Sequence, residues 1–117
     1  MKATGSTADQ HRKDVQRYQH LTGDVMPRIA RDERRDWPIV NDHCFQRVVL
    51  DTICGGIWYD YLSRPAYKNL TARQARDAVV LCEAIVSGRA DLGTLNEQSL
   101  RWRAEARRQQ VQVPRLL

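Results

Sequence analysis

The sequence has no long apolar run, and nothing in its 117 residues approaches the ~18 consecutive apolar residues that a membrane-spanning helix needs. Its first stretch, MKATGSTADQHRKD, has no apolar core and no small-residue cleavage site, so no secretory leader is predicted. Cysteine is scarce, and an odd number of thiols in apolar stretches favours reduced side chains over disulfides. We therefore expect a cytoplasmic protein without membrane contact, whose cysteines are Cys44, Cys54 and Cys82.

The residue spacings of common catalytic and metal sites are also missing. The histidines and cysteines form no C-x-x-C and no H-x-x-x-H pair, which argues against a metal site. Gly55 and Gly56 do not form a phosphate loop, because no Lys-Ser or Lys-Thr pair follows them and no predicted strand precedes them. The chain also lacks a G-x-S-x-G motif and a suitably flanked pair of carboxylates. We expect neither a metal nor a cofactor, and the sequence favours a binding protein over an enzyme.

Aromatic residues are few, with one Phe in the whole chain, so only a modest core can form. A length of 117 residues fits one domain and is too short for a doubly wound dinucleotide-binding fold. No segment alternates apolar and polar residues as a strand does, whereas apolar residues recur at helical spacing throughout. The prediction is an all-α fold, a compact bundle of five or six short helices in a single domain. We expect order over about 7–110, with 1–6 and 111–117 loose.

Two predicted helices should form the centre of the bundle. The segment 43–54 carries a wide apolar face, and 72–87 begins with a capping box of Thr71 and Gln74. Each helix is followed by a glycine that can adopt the left-handed conformation in which helices commonly end, namely Gly55 and Gly88.

Outside this centre the helical signals are weaker. A break is predicted at Thr22-Gly23-Asp24, and 66–70 is predicted to be a loop that follows Pro65. The remaining helices are predicted over 8–21, 25–35, 57–63 and 95–110, the first with a capping box of Thr7 and Gln10 and the last with one of Thr94 and Glu97.

A polar row runs along the predicted helix 43–54, opposite its apolar face. At 100° per residue His43, Arg47 and Asp51 lie on one stripe, and Arg47 and Asp51 have the spacing of an ion pair. One interpretation is a structural network that fixes helix packing, provided that its hydrogen bonds are satisfied. The other is a polar pocket in which His43 carries protons or binds a ligand, with all three residues as candidate catalytic groups.

Aromatic residues cluster after the glycine pair, at Trp58, Tyr59, Tyr61 and Tyr67. Core lining explains most of the cluster, since a domain with one Phe must fill its core with other rings. Tyr59 points away from the helix face that Trp58 and Tyr61 share. An exposed ring beside Arg64 and Lys68 would suit a base or an apolar group of a partner, so Tyr59 is a candidate binding residue.

Positive charge is concentrated at the carboxyl end. The chain has a formal charge of +5, and residues 101–117 hold five arginines and one glutamate. We predict a small non-enzymatic binding or accessory module that contacts another macromolecule, a protein or a nucleic acid, through this basic helix. Its candidate binding residues are Arg101, Trp102, Arg103, Arg107 and Arg108.

Three further hypotheses about the function and assembly of this chain stay open. A nucleic-acid-binding protein with mainly phosphate contacts is the first alternative function. An enzyme built on the stripe of His43, Arg47 and Asp51 is the second. A chain of this size could also self-associate into a homo-oligomer.

Several short motifs together resemble a family of short bacterial proteins. They are Asn41-Asp42-His43-Cys44-Phe45-x-Arg47, Gly56-x-Trp58-Tyr59, Arg64-Pro65-Ala66-Tyr67 and Leu95-Asn96-x-x-Ser99-Leu100-Arg101-Trp102-Arg103, within about 25–103. The resemblance implies a soluble bacterial protein and draws attention to the helix 43–54. Some members are labelled acetyltransferase-related, but that fold needs a mixed sheet and a Gly-rich acetyl-CoA turn after a strand, neither of which this sequence predicts.

Overall fold

A computed structural model describes the backbone of residues 3–112 and the side chains of residues 7–110. Every regular element in that part is helical, which confirms the predicted all-α bundle. Of the described helices, none is both long and apolar enough to cross a membrane. The α-helices are α1 (Ala3–His20), α2 (Met26–Asp32), α3 (Asp42–Cys54), α4 (Ala66–Asn69), α5 (Ala72–Ser87) and α6 (Leu92–Gln112).

The chain ends were predicted to be loose at 1–6 and 111–117. Residues 1–2 and 113–117 lie outside the described residues. The looseness of both ends therefore stays a prediction, although α1 begins at Ala3 and α6 ends at Gln112.

The predicted break at Thr22-Gly23-Asp24 is wrong. α1 continues through a π-helical turn, Leu21–Val25, into α2, with right-handed helical backbone at both junctions. The buried Thr22 hydroxyl donates to the carbonyl of Tyr18 at 2.9 Å, so this polar group finds its partner within the helix. Pro27 has no N–H to donate and interrupts the regular hydrogen-bond ladder. The wider turn accommodates the proline, and one long rod replaces the two short helices that were predicted.

α3 and α5 lie at the centre of the bundle, as predicted. α5 packs against α1 and α3, and α3 also packs against α6. Phe45, Val48 and Val49 of α3 are completely buried, and burying side chains of this kind stabilises a fold by about 1.5–3 kcal/mol each. The buried side chains of α5 are Ala75, Ala78, Val79, Cys82 and Ile85.

The capping signals around α3 and α5 are confirmed. The Thr71 hydroxyl accepts from the backbone N–H of Gln74 at 3.0 Å, and the Gln74 side chain accepts from the backbone N–H of Thr71 at 2.9 Å. Gly55 and Gly88 have φ angles of 77° and 85°, so both helices end in a left-handed residue that glycine adopts without strain.

Two other predicted caps are wrong. Thr7 lies inside α1, which begins at Ala3. α6 begins three residues before Leu95, because the Asp91 carboxylate accepts from the backbone N–H and the hydroxyl of Thr94 at 2.9 and 2.7 Å. Aspartate is a better N-cap than threonine, so Asp91 takes the role that was predicted for Thr94.

The segment between α3 and α5 also differs from the prediction. The aromatic helix predicted over 57–63 is a single 3-10 turn, Trp58–Asp60, and the predicted loop 66–70 contains α4. The Asn69 side chain donates to the carbonyls of Ser63 and Pro65 at 3.1 and 2.9 Å, which holds this short turn together. The segment places Trp58, Arg64 and Tyr67 beside residues of α3.

Candidate anion-binding cavity

A buried carboxylate joins α3, α6 and the segment after α3. Asp51 is completely buried. Its Oδ1 accepts from the backbone N–H of Trp58 at 2.9 Å and from Nη2 of Arg103 at 3.1 Å. Its Oδ2 accepts from Nε of Arg103 at 3.0 Å and from the Ser99 hydroxyl at 2.6 Å. Because both oxygens are satisfied, this carboxylate is committed to holding three elements together and is a poor candidate for a general base.

Arg47 reaches the same network through Ser99. Its Nη1 donates to the Ser99 hydroxyl at 2.7 Å, and its Nη2 donates to the side-chain oxygen of Asn96 at 2.8 Å. The ion pair predicted between Arg47 and Asp51 is thus replaced by a hydroxyl bridge, since Ser99 accepts from the arginine and donates to the carboxylate. The ionic partner of Asp51 among the described residues is Arg103.

Arg103 keeps its charge although it is largely buried. Burial by itself lowers the pKa of a guanidinium, but the hydrogen bonds and the charge of Asp51 outweigh that effect, and the pKa of Arg103 is raised. The nearby Tyr59 and Asp60 act in the same direction. A permanently charged arginine, predicted to lie on an outward face of α6, therefore lies between α6 and α3.

A half-open cavity of about 610 Å³ is lined by residues of α1, α3, α6 and the segment that follows α3. Arg47, Arg64, Arg103 and His43 line it, and none of the residues on its wall is acidic. Arg47 and Arg103 each donate two of their five N–H groups to side chains of the protein. The volume lies within the ~300–1,000 Å³ typical of ligand sites.

The rest of the wall is mostly apolar and aromatic. The guanidinium of Arg64 lies 5.5 Å from the ring centre of Trp58 and 4.8 Å from that of Tyr59, and Arg103 lies 5.4 Å from Tyr59. These cation–π contacts stabilise the guanidinium groups of Arg64 and Arg103 in these positions. A ligand in this cavity meets positive charge beside an apolar surface formed by Tyr18, Leu50, Trp58, Pro65, Ala66 and Tyr67.

A second, more open cavity of about 380 Å³ shares Gln19 and Tyr67 with the first. Arg12 and Lys68 supply its positive charge, and none of the residues on its wall is acidic. Arg12 forms an exposed ion pair with Asp9 at 2.8 Å, which lies outside the wall. Tyr67 thus lies on the wall of both basic cavities.

His43 lies on the wall of the first cavity but outside the buried network. Its side chain is 75% exposed, and its Nδ1 stands 3.4 Å from Oδ1 of Asp42, which is long for a hydrogen bond. The structure thus divides the predicted stripe: Arg47 and Asp51 belong to one buried hydrogen-bond network, in which Arg47 also lines the cavity, and His43 faces solvent. Solvent reaches the imidazole, as the pocket interpretation requires. Asp51, however, directs its hydrogen bonds to Trp58, Ser99 and Arg103 and not to His43.

The candidate residues of the basic helix α6 fall into two groups. Arg103 lines the cavity, whereas Arg101, Arg107 and Arg108 are exposed and form no ion pair within the described residues. Glu97 and Glu105 share the face of Arg101 and Arg108 at 100° per residue, and alternating charge of this kind is typical of a solvated helix. Trp102 is half-buried, and Tyr59, the other candidate, is 43% exposed beside the arginine stack.

The three cysteines are free thiols and do not line either cavity. Burial raises the pKa of Cys82 to about 12, and burial together with the charge of Asp51 raises the pKa of Cys54. Thiols with raised pKa values are weak nucleophiles at neutral pH. Within the part of the chain that the structure describes, no group of three or more His, Cys, Asp or Glu side chains could hold a metal ion.

Sequence reasoning missed Asn96 and Ser99, the two residues that hold Arg47. They precede Arg103 by seven and four positions, so all three lie on one face of α6. This polar stripe on the face toward α3 was the available signal. Arg64 was noted only as a neighbour of an exposed ring, because its place opposite α3 depends on the path of the chain between helices.

In comparisons with known proteins, no family model, no curated protein and no solved structure matches this chain. The resemblance to short bacterial proteins therefore stays a prediction. The functional conclusion rests on the chemistry of the two cavities and of α6.

Proposed function

We propose that this protein is a small non-enzymatic binding module that takes an anionic group of another macromolecule into its arginine-lined cavity. One observation carries the proposal: Arg47, Arg64 and Arg103 line a single cavity whose wall has no acidic residue. Holding like charges together costs free energy that an opposite charge offsets. Asp51 beneath the wall offsets one of the three charges, and an anion in the cavity would offset the others.

The chemistry of the wall favours binding over catalysis. Asp51, which an acid–base mechanism would need, has both oxygens occupied. His43 is the one imidazole on the wall of the larger cavity. The enzymatic alternative built on His43, Arg47 and Asp51 is therefore left with His43 as its acid–base group.

Contact through the carboxyl end of α6 is a second candidate function. Arg101, Arg107 and Arg108 are exposed and have no ionic partner among the described residues, so they are free to meet the phosphates of a nucleic acid or the carboxylates of a protein. We include self-association in this second candidate function, since the protein partner of α6 can be a second copy of the chain. The interleaved glutamates weaken the positive field of this face, which is why we place the cavity first.

We further propose that the protein works in a bacterial cytoplasm. The free thiols of Cys44, Cys54 and Cys82 support a reducing compartment. The formal charge of +5 supports an acidic partner.

A thermal-shift measurement at low salt tests both candidate surfaces. The probes are inorganic pyrophosphate, a poly-glutamate peptide and a single-stranded oligo-dT. A ligand that binds only the folded chain raises Tm. Arg64→Ser removes one charge from the cavity wall, and Arg108→Ser removes one exposed charge from α6 as the matched control.

The proposal expects at least one probe to raise the Tm of the wild type and of Arg108→Ser, with a much smaller rise in Arg64→Ser. A full rise in Arg64→Ser with a much smaller rise in Arg108→Ser would support contact through α6. If no probe shifts the Tm of the wild type, both candidate functions fail.

A further inference from the structure

We infer that the anionic partner is a single-stranded nucleic acid, with one base stacked on Tyr67 and the flanking phosphates in the two basic cavities. The inference rests on the proposed function and names its ligand. It depends on the juxtaposition of two separate basic cavities with one aromatic ring on the wall of both.

Both cavities have positively charged side chains on their walls, and in the second Arg12 is shared with Asp9 in an exposed ion pair. Arg47, Arg64 and Arg103 stand in the first cavity, and Arg12 and Lys68 stand in the second. A ligand with a single anionic group would use one cavity and leave the other empty. A polymer with a negative charge at every unit can occupy both, since each unit along the chain delivers another charge.

The ring that both cavities share decides which polymer fits. Tyr67 is 40% exposed, and an exposed aromatic ring on a wall that also carries cationic side chains suits single-stranded nucleic acids, whose bases stack on rings and whose phosphates contact cations. An acidic peptide would pair with the same arginines but has no planar group at each unit to stack. A duplex keeps its bases stacked on each other, so it cannot present one to the ring.

Arg64 adds a second planar surface to the first cavity. Its guanidinium lies over the rings of Trp58 and Tyr59, and it remains exposed. Flat guanidinium groups stack on bases as aromatic rings do. The neighbouring base of the strand therefore has a platform next to the one on Tyr67.

Fluorescence anisotropy with a labelled oligo-dT tests the inference at low salt. The competitors are an abasic oligonucleotide of the same length, the corresponding duplex and a poly-glutamate peptide. Tyr67→Ala removes the ring, and Tyr67→Phe keeps it as the matched control. Because the Tyr67 side chain is exposed, both variants are expected to fold, and their circular dichroism spectra check this.

We expect oligo-dT to bind at least about tenfold tighter than the abasic strand and the poly-glutamate peptide, since each stacked base contributes about that factor and two platforms are present. Tyr67→Ala should lose about the same factor, and Tyr67→Phe should bind as the wild type does. Arg64→Ser should lower the slope of log Kd against log salt by about 0.7, the value for one phosphate contact to a single strand.

Equal affinity for oligo-dT and abasic strand would overturn the inference, as would unchanged binding by Tyr67→Ala. Tighter binding of the duplex or of poly-glutamate would overturn it as well. In all these cases a loss of binding in Arg64→Ser would leave the proposed function standing, so the failure of the inference is distinct from the failure of the module.

Discussion

The Arg103 guanidinium on α6 donates two parallel hydrogen bonds to the Asp51 carboxylate on α3, from Nε at 3.0 Å and from Nη2 at 3.1 Å. The same arginine side chain also lines the first cavity. One ion pair thus connects two helices and fixes a cation where the proposed ligand binds. The stability of the fold and the affinity of the site are coupled through this pair.

Removing either member of this pair should destabilise the fold. We expect Asp51→Ala to lower the free energy of unfolding by about 3–5 kcal/mol, because it leaves Arg103 charged and largely buried without its partner. The double variant Asp51→Ala/Arg103→Ala should lose clearly less than the sum of the two single losses. Urea unfolding of the four proteins measures this coupling, and strictly additive losses would show that the pair contributes nothing as a pair.

The hydroxyl bridge at Ser99 should also stabilise the fold. Ser99 is completely buried and connects Arg47 to Asp51, so Ser99→Ala should cost about 1.5–3 kcal/mol, the range for hydrogen bonds to charged groups. Ser87→Ala is the matched control, because this serine also bonds an arginine, accepting from Nε of Arg89 and donating to a carbonyl of its own helix, but does so in solvent; its loss should stay within about 0.5 kcal/mol. Equal losses in urea unfolding would contradict the bridge.

Stability should fall in alkaline solution because of a buried thiol. Burial raises the pKa of Cys82 from its ordinary 9.0 to about 12 in the folded chain. Between these values the unfolded chain releases the proton and the folded chain keeps it. The contribution of the protonated Cys82 thiol to the free energy of unfolding is therefore fully present below pH 9. Between pH 9 and about pH 12 it falls by about 1.4 kcal/mol per pH unit.

Tyr18 strengthens this trend at higher pH, because burial raises its pKa above the ordinary 10.0. Urea unfolding at several pH values from neutral to strongly alkaline measures the slope. Cys82→Ala should show a flatter profile just above pH 9 than Cys44→Ala, which removes a half-buried thiol instead. If the wild type is equally stable across the range, the buried thiol does not behave as the structure requires.

The continuous rod at the amino end gives a prediction about two glycines. Gly23 has helical backbone in the π-helical turn, and an added Cβ would meet nothing within 4 Å. Gly23→Ala should therefore stabilise the fold by about 0.5–1 kcal/mol. Gly55→Ala should destabilise it by about 1 kcal/mol, because φ at Gly55 is 77°. Thermal unfolding compares the two variants. A lower Tm for Gly23→Ala would contradict the continuous helix and favour the break that the sequence predicts.

Local signals in the sequence were reliable where local chemistry decides the structure. Thr71 and Gln74 form their capping box, and Gly55 and Gly88 end their helices, because these interactions depend only on residues a few positions apart. The break at Gly23 failed for the opposite reason. Packing of the rod against α5 and the internal bond of Thr22 outweigh the weak helix propensity of one glycine.

The site was predictable in part. The polar stripe on α3 correctly singled out Arg47 and Asp51 as residues that need partners, and the excess of arginine in α6 included Arg103. The partners on α6 lie 48–52 positions away along the chain. No spacing rule within one helix gives the rotation of α6 against α3, so the sequence could not show that Arg103 turns inward while Arg101 and Arg108 stay outside.

The indole N–H signals of the three tryptophans test the account most directly. Trp58 lines the first cavity, whereas Trp102 lies on α6 outside it and Trp37 packs against Phe45 in the core. In nitrogen–proton NMR spectra recorded as oligo-dT is added, the account predicts a progressive shift of the Trp58 indole signal while the Trp102 and Trp37 signals stay in place. A shift of the Trp102 signal with an unmoved Trp58 signal would contradict it and would place the binding surface on the carboxyl-terminal helix.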